Sequence, residues 1–566
     1  MNDQSARIAL RMTLADLVTR NRRRGGAEVV NAILDHPRSV ELIQALAPEE
    51  LFTLLTSIGR EDCTDLVVHA TEEQFQGLVD LDSWKGNAFC PERFERLYAI
   101  LRTGEDDTVE SFLDALDDER IGLYLLRRVR IVQRDFTPEQ EDAFTDDLEV
   151  LRSPDDQFFL VFPAGDPNVA AVRDLVERLY ARDHLDAADL LRHVATEDPE
   201  TLELEFARFR TSRVRAMGFP DDEEVRSLMA YYNPVSAKRS IRKRIDGLQP
   251  LKPAAAVPLL PALYGFGPER IPFLKQVIGT VEDDRTLSLL AEGLAWLANA
   301  QIVLATGGDL ADEGGQRAGV ERAASLVTLG LEYVSDSDVP LAARVLARVR
   351  ARTLFRIGHS LLIPLRQKAR ELLASCGAEH GFQLFDPPLD DVVRGGAQEI
   401  PQRALALGSD QEGLGEFRSV AELRRARQAL VQGKEIARFV TTALDLSFET
   451  LALAVPEERR TAVTHTTLMA TALVNGLLGN ERLLAPVASS ALPGLLDLIL
   501  PAADNGERAL NPRLREAISH FSNVEGNRFV AALFDLSLRK LEDLFRRFPA
   551  GIVPDPKLVA PVLLLK

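Results

Sequence analysis

Two stretches near the start of the chain, ALAPEELFTLLTSIG (45–59) and HATEEQFQGLVDLD (69–82), align at an offset of 23 residues. Ala47 falls on Ala70, Glu49 on Glu72, Glu50 on Glu73, Phe52 on Phe75 and Leu55 on Leu78. Each copy opens with helix-starting chemistry, Pro48 at a first-turn position in one and a Thr71 to Gln74 capping box in the other. Each then carries a single apolar stripe. The following segments keep it: Phe94, Leu97, Tyr98 and Leu101 recur at i, i+3, i+4, i+7, and so do Val109, Phe112, Leu113 and Leu116. A helix with one apolar stripe has to bury it against neighbours, and short capped helices in series do so by stacking. The expected fold is therefore all-α, with short stacked helices in the N-terminal part.

Later segments extend this reading. FFLVF within 157–163 is a short apolar, aromatic run bounded by turn residues, which predicts one minor strand or hairpin. Helical periodicity resumes at Asn168, and in GFPDDEEV Gly218 and Pro220 stop one helix while Asp221 or Asp222 caps the next. The stretch 247–272 is Pro-rich, and 385–417 lacks periodicity. Long apolar helices occupy 283–377, and a larger helical bundle is expected in the C-terminal half. The segmentation expected is an amphipathic tail (1–35), a helical-repeat domain (36–150), a helical domain with a short β element (151–246), a Pro-rich connection (247–272), an apolar helical core (273–384), an irregular linker (385–417) and a C-terminal helical domain (418–566).

Charge narrows the partners. Lys and Arg total 67 against 86 Asp and Glu, a net charge of −19, and such a field repels nucleic acid and anionic membranes. The basic clusters RFRTSRVR (208–215, with Phe206 beside it) and KRSIRKR (238–244) are expected to face acidic neighbours or solvent. The three cysteines, Cys63, Cys90 and Cys376, form no CxxC pair and no disulfide framework, which fits a reducing cytoplasm. Arg11 and Asp16 interrupt any export signal at the N-terminus. The two most apolar stretches, 286–307 and 461–479, carry Glu292, Asn299, Gln301, His465 and Asn475, so both are expected to be buried helices rather than membrane spans.

LVDLDSWKGN (78–87) raises a sharper question. Counted from Asp80 as a calcium loop, the fifth position is Trp84, the sixth Lys85 and the twelfth Pro91, so the ligand pattern fails. A helix stop is the favoured reading, with Gly86 supplying positive φ. As a partner-binding tip it would use Trp84 and Asp82, with Phe75 behind them. No HExxH, no GxxxxGK[ST] and no GxSxG occurs. Glu292, Arg356, His359 and His465 sit in apolar helical surroundings, where an ionisable group must be paired or shifted in pKa, and they form the candidate catalytic set if there is one.

PEELFTLLTSIGREDCTDLVVHATEEQFQGLVDLDSWKGN, GFPDDEEV, LVTLGLE, LFRIGHS, TALVNGLLG and DPKLVAPVLLL, in that order, resemble an uncharacterised bacterial family, domain of unknown function 6178. The resemblance implies a shared helical fold and no particular activity. Residues 45–133 also resemble the helical N-terminal domain of MgtE-type magnesium transporters, an acidic regulatory cap. That second likeness implies a divalent-cation sensor with Glu72, Glu73, Asp80 and Asp82 as ligands, carboxylates being what hard cations prefer.

Three functional expectations follow. The first is a non-catalytic cytoplasmic scaffold or regulatory protein that binds a protein partner and needs no cofactor. The second is an enzyme or small-ligand-binding protein with its site in the apolar C-terminal half. The third is the cation sensor.

Overall fold

The computed structural model describes residues 3–21, 26–58, 64–103, 106–137, 139–140, 144–145, 147–251, 271–407, 411–502, 508–519, 527–549, 553–560 and 562–565. Among them are 28 helices and seven short strands, so the fold is mainly all-α. The chain divides into two compact units, 1–357 and 358–566. The division falls inside one helix, Ala351–Ala374. Cys63 and most of the Pro-rich connection, Leu259 and Leu260 included, lie outside the described residues.

In unit 1 both repeat copies are helices, Pro48–Ile58 and Glu72–Asp82, packed against each other. Thr71 and Gln74 form the capping box, with Thr71 N donating to Gln74 Oε1 at 2.8 Å. Phe52, Leu55, Phe75 and Leu78, the equivalent apolar positions, are all buried. The copies diverge at their acids. Glu50 is buried and paired with Arg11, whereas Glu73 is exposed. Arg11 belongs to the N-terminal helix Asp3–Asn21, whose Leu14 and Val18 are fully buried, so the expected tail is docked rather than free.

The aromatic side chains Phe75, Phe94, Tyr98, Phe112 and Tyr124 form a continuous core under the helices Pro91–Leu101, Asp106–Ala115 and Asp118–Arg128. FFLVF is one of three strands rather than a lone one: β5 (Phe158–Pro163) is the middle of an antiparallel sheet flanked by β3 (Arg130–Gln133) and β4 (Leu148–Arg152). All five residues Phe158 to Phe162 are buried, as a central strand covered on both faces requires. The sheet thus joins segments that the sequence reading separates at 150/151. Its edge strands, RIVQ and LEVLR, carry charges that hide them from an apolar-run search.

Two long helices, Asp284–Thr306 and Glu313–Ser335, pack along one another in the later part of unit 1. Gly319 permits the approach, since a Cβ there would lie 2.7 Å from Ile302 N. Asp284–Thr306 is long and apolar enough to cross a membrane by length and composition, but half of its most apolar window is buried inside the protein.

Unit 2 is built around His465–Leu478, a helix in which the eleven residues from His465 to Asn475 are all buried. Its neighbours are Val420–Ala443, Pro512–Ser519 and Arg528–Phe545. At 14 residues it is shorter than the roughly 20 that span a bilayer. The stretch 385–417, expected to be irregular, contains the Leu389–Ala397 helix and a hairpin of β6 (Arg403–Ala404) and β7 (Leu414–Gly415). Consecutive glycines mask that helix in the sequence. Gly395 packs so closely on the Gln402 backbone that a Cβ would sit 2.7 Å from its carbonyl oxygen.

Candidate functional site

The segment LVDLDSWKGN is a helix stop followed by a tight hairpin. Glu72–Asp82 ends at Ser83, and β1 (Trp84–Lys85) pairs with β2 (Ala88–Phe89) across Gly86 and Asn87. Gly86 adopts φ +62°, which glycine reaches without the Cβ penalty. Trp84 is 3% exposed and meets Phe89 edge to face, so it is an interior anchor and not a surface tip. Asp82 and Phe75 are buried too. The physical reason is the hairpin, which folds the aromatic back onto the helix end.

Beside this hairpin the helix Pro199–Ala216 carries Arg210, whose guanidinium lies over the Trp84 ring at 5.1 Å. Its Nε donates to the Asp80 carbonyl at 2.6 Å and its Nη1 to the Gly86 carbonyl at 3.1 Å. Two more loops close in. Gly218, at φ +89°, turns the chain after that helix, and its carbonyl accepts from Asn299 Nδ2 at 3.2 Å. Asp221 then caps Asp222–Met229 by accepting from Glu224 N at 2.8 Å. The third loop follows Asp284–Thr306, where Gly307 and Gly308 both have positive φ. A Cβ on Gly308 would lie 2.9 Å from the Gly86 Cα, so the first and third loops touch backbone to backbone. Arg93 clamps the contact with a bidentate pair to Asp309, at 2.6 and 2.8 Å.

Together these loops border a cleft of about 500 Å³, within the usual range for small-molecule sites. Gly86 and Asn87, Arg210, Phe219 to Asp222, and Gly307 with Gly308 are among its lining residues. Val214, Val303 and Leu310 supply apolar wall. Burial pushes Arg210 down to about 10, with Asp80 opposing and Arg213 adding to the shift, and it remains a cation at neutral pH.

The acids singled out for a cation do not converge on one point. Glu72 and Glu73 are exposed at the start of their helix, while Asp80 and Asp82 are buried at its end. Asp80 is taken by two guanidiniums, Arg213 Nε at 2.6 Å and Arg120 Nη2 at 3.2 Å. No group of three or more His, Cys, Asp or Glu with metal-site geometry occurs among the described residues.

The candidate catalytic set is likewise scattered over different settings. Glu292 is exposed on its helix, contrary to the expectation of a buried carboxylate, because the apolar stripe of that helix runs through Leu290, Leu294 and Leu297. Arg356 lies over Tyr232 at 4.9 Å in unit 1. In unit 2 His359 and His465 are 3% and 2% exposed, and burial pushes each down to about 4, so both are neutral imidazoles at pH 7. His465 packs on Phe385 at 4.9 Å. None of the four lines the cleft.

Arg210 was hidden in a basic cluster. Arg213 and Arg215 of that cluster do meet acids, Asp80 and Glu224, as their surroundings predict. A period of 3.6 turns Arg210 inward with Phe206 and Ala207, and that phase is the one sequence signal that could have separated it from its neighbours.

Fold and cleft together define a mainly helical protein with a preformed, charged recess in its first unit. The sequence model of the family of unknown function DUF6178 matches residues 7–565, and the chain belongs to that family. No curated protein and no solved structure matches it.

Proposed function

We propose that this is a non-catalytic regulatory protein of the cytoplasm, which binds a ligand in the cleft of unit 1 and acts through a protein partner. The observation that carries the reading is the pre-organisation of the recess. Its loops are held by Arg93, Arg210 and Asn299 through hydrogen bonds to carbonyls and to Asp309, so the walls stand in place before any ligand arrives. The hydroxyl among the lining residues, on Thr211, donates back to the Ala207 carbonyl at 2.6 Å, and the geometry offers binding donors in place of an activated nucleophile.

Leu204 and Phe209, 61% and 57% exposed on the helix that carries Arg210, support a protein partner close to the ligand. Native mass spectrometry of the protein purified gently from its own cells tests the reading, combined with crosslinking from Asn87 at the cleft mouth. A bound mass or a crosslinked protein that disappears in Arg210→Met supports it. Unliganded protein together with an empty crosslink lane from both forms overturns it.

A further inference from the structure

Among the described residues several arginines near the cleft are matched to carboxylates, and the buried Arg210 is not. Arg93 has Asp309, Arg120 has Asp80 and Asp117, Arg213 has Asp80, and Arg215 has Glu224. Arg210 is as deeply buried as Arg120, at 5% against 6% exposure, yet among the described residues no carboxylate lies within ion-pair distance of it. Its protein hydrogen bonds go to two backbone carbonyls, through Nε and Nη1. Those bonds and the Trp84 ring fix the plane of the guanidinium, and the Nη2 donors are left without a described partner at a residue that lines the cleft. A buried guanidinium whose hydrogen bonds go to neutral carbonyls, with the Asp80 carboxylate acting on it only from beyond ion-pair distance and already held by Arg120 and Arg213, is under-compensated, and a charged acceptor makes up the deficit.

Resting on the ligand-binding reading above, we infer that Arg210 is the seat of an oxyanion, so that the ligand of the cleft carries a carboxylate or phosphate group. A planar fork on a residue that lines the recess suits the paired oxygens of either group. Gly86 and Gly308, packed backbone to backbone, set the edge of the recess beside Arg210. Asp222, exposed where the cleft opens, repels a second anionic end. The ligand is therefore anionic at one end and neutral or cationic at the other, with a body short enough for about 500 Å³.

Trp84 supplies the readout, because its ring carries the guanidinium and Trp296 is the only other tryptophan. In full-length protein with Trp296→Phe as background, inorganic phosphate and citrate are each titrated against chloride at equal ionic strength. A saturable change in Trp84 emission is expected with at least one of them, and whichever binds tighter tells phosphate from carboxylate chemistry. Arg210→Met should abolish it and Arg210→Lys should weaken it about tenfold or more, the fork being lost while the charge remains. Asn87→Asp, an exposed change at the cleft, leaves the fold alone and should weaken binding severalfold through repulsion. Emission that follows chloride equally, or unchanged affinity in both Arg210→Met and Asn87→Asp, overturns the inference. A native ligand that proves neutral or cationic sinks the oxyanion seat and leaves the ligand-binding reading standing. An empty protein that still binds phosphate at Arg210 does the reverse.

Discussion

Unit 2 holds a half-buried charge where unit 1 holds a buried one, and closes it. Asp386 accepts from Thr464 Oγ1 at 2.9 Å, from Thr466 N at 3.1 Å and from Lys540 Nζ at 2.7 Å. Burial alone would raise its pKa, and Lys540 with the threonines outweighs burial and holds it below the usual carboxylate range. Every strong contact of Asp386 is internal, and the result is a pin that fixes the start of the central helix of unit 2. Arg210 in unit 1 is buried where Asp386 is half-buried, yet it has two hydrogen bonds in place of three and no carboxylate within ion-pair distance among the described residues. A buried charge with a complete set of partners is architecture, and one lacking its counterion is a place for something else.

The largest expected difference between the units is their response to acid. His359 and His465, both in unit 2, have folded pKa values of about 4 against roughly 6.5 in an unfolded chain. The unfolded chain binds more protons between those values, so their contribution is full above about pH 6.5 and is lost as pH falls towards 4, on the order of 3 kcal/mol each. Glu49 in unit 1 runs the other way. Burial raises it to about 7, so its contribution is full at low pH and is lost as pH rises through about 4.5 to 7. Both tryptophans lie in unit 1. Urea unfolding followed by tryptophan fluorescence and by far-ultraviolet circular dichroism should therefore separate on acidification, with the part of the dichroism transition that fluorescence does not see moving to lower urea. Coincident transitions at every pH would break the comparison.

Asp80→Ala should come next. It strips Arg120 and Arg213 of their shared carboxylate, and loss of one partner of a buried pair costs about 3–5 kcal/mol. Fluorescence-detected unfolding should show it. Asp386→Ala should cost less, roughly 1–3 kcal/mol, since the Lys540 side chain is 41% exposed and can rehydrate; an equal loss would mean that the two charges are built alike. Gly308→Ala forces a Cβ against Gly86 in a positive-φ position and should destabilise unit 1 by about 1–3 kcal/mol, with anion binding falling in step. Lys238→Met removes a surface contact to Asp336 and should change stability by less than about 1 kcal/mol in the same assay.

The helices of the repeat, the capping box at Thr71, the cap at Asp221 and the strand at 158–163 were legible because each depends on residues a few positions apart. The partners of β5 were not, since edge strands with charged residues leave no apolar run. Glu292 misled, and the alternative of a partner-binding tip at Trp84 fails, for the same reason in opposite directions. Local apolar company put the carboxylate inside and flanking charge put the indole outside, while helix phase and the 84–89 hairpin did the reverse.

By itself the sequence determined a mainly helical chain with acidic charge and local caps, because periodicity and capping act over one or two turns. Only the tertiary structure decided that Arg210 should bond the Gly86 carbonyl in a cleft shared with Gly308, with no carboxylate within ion-pair distance among the described residues. Which counterion a buried charge finds depends on loops that lie far apart in the chain, and their approach is set by packing and by the backbone freedom of glycine rather than by any neighbouring residue.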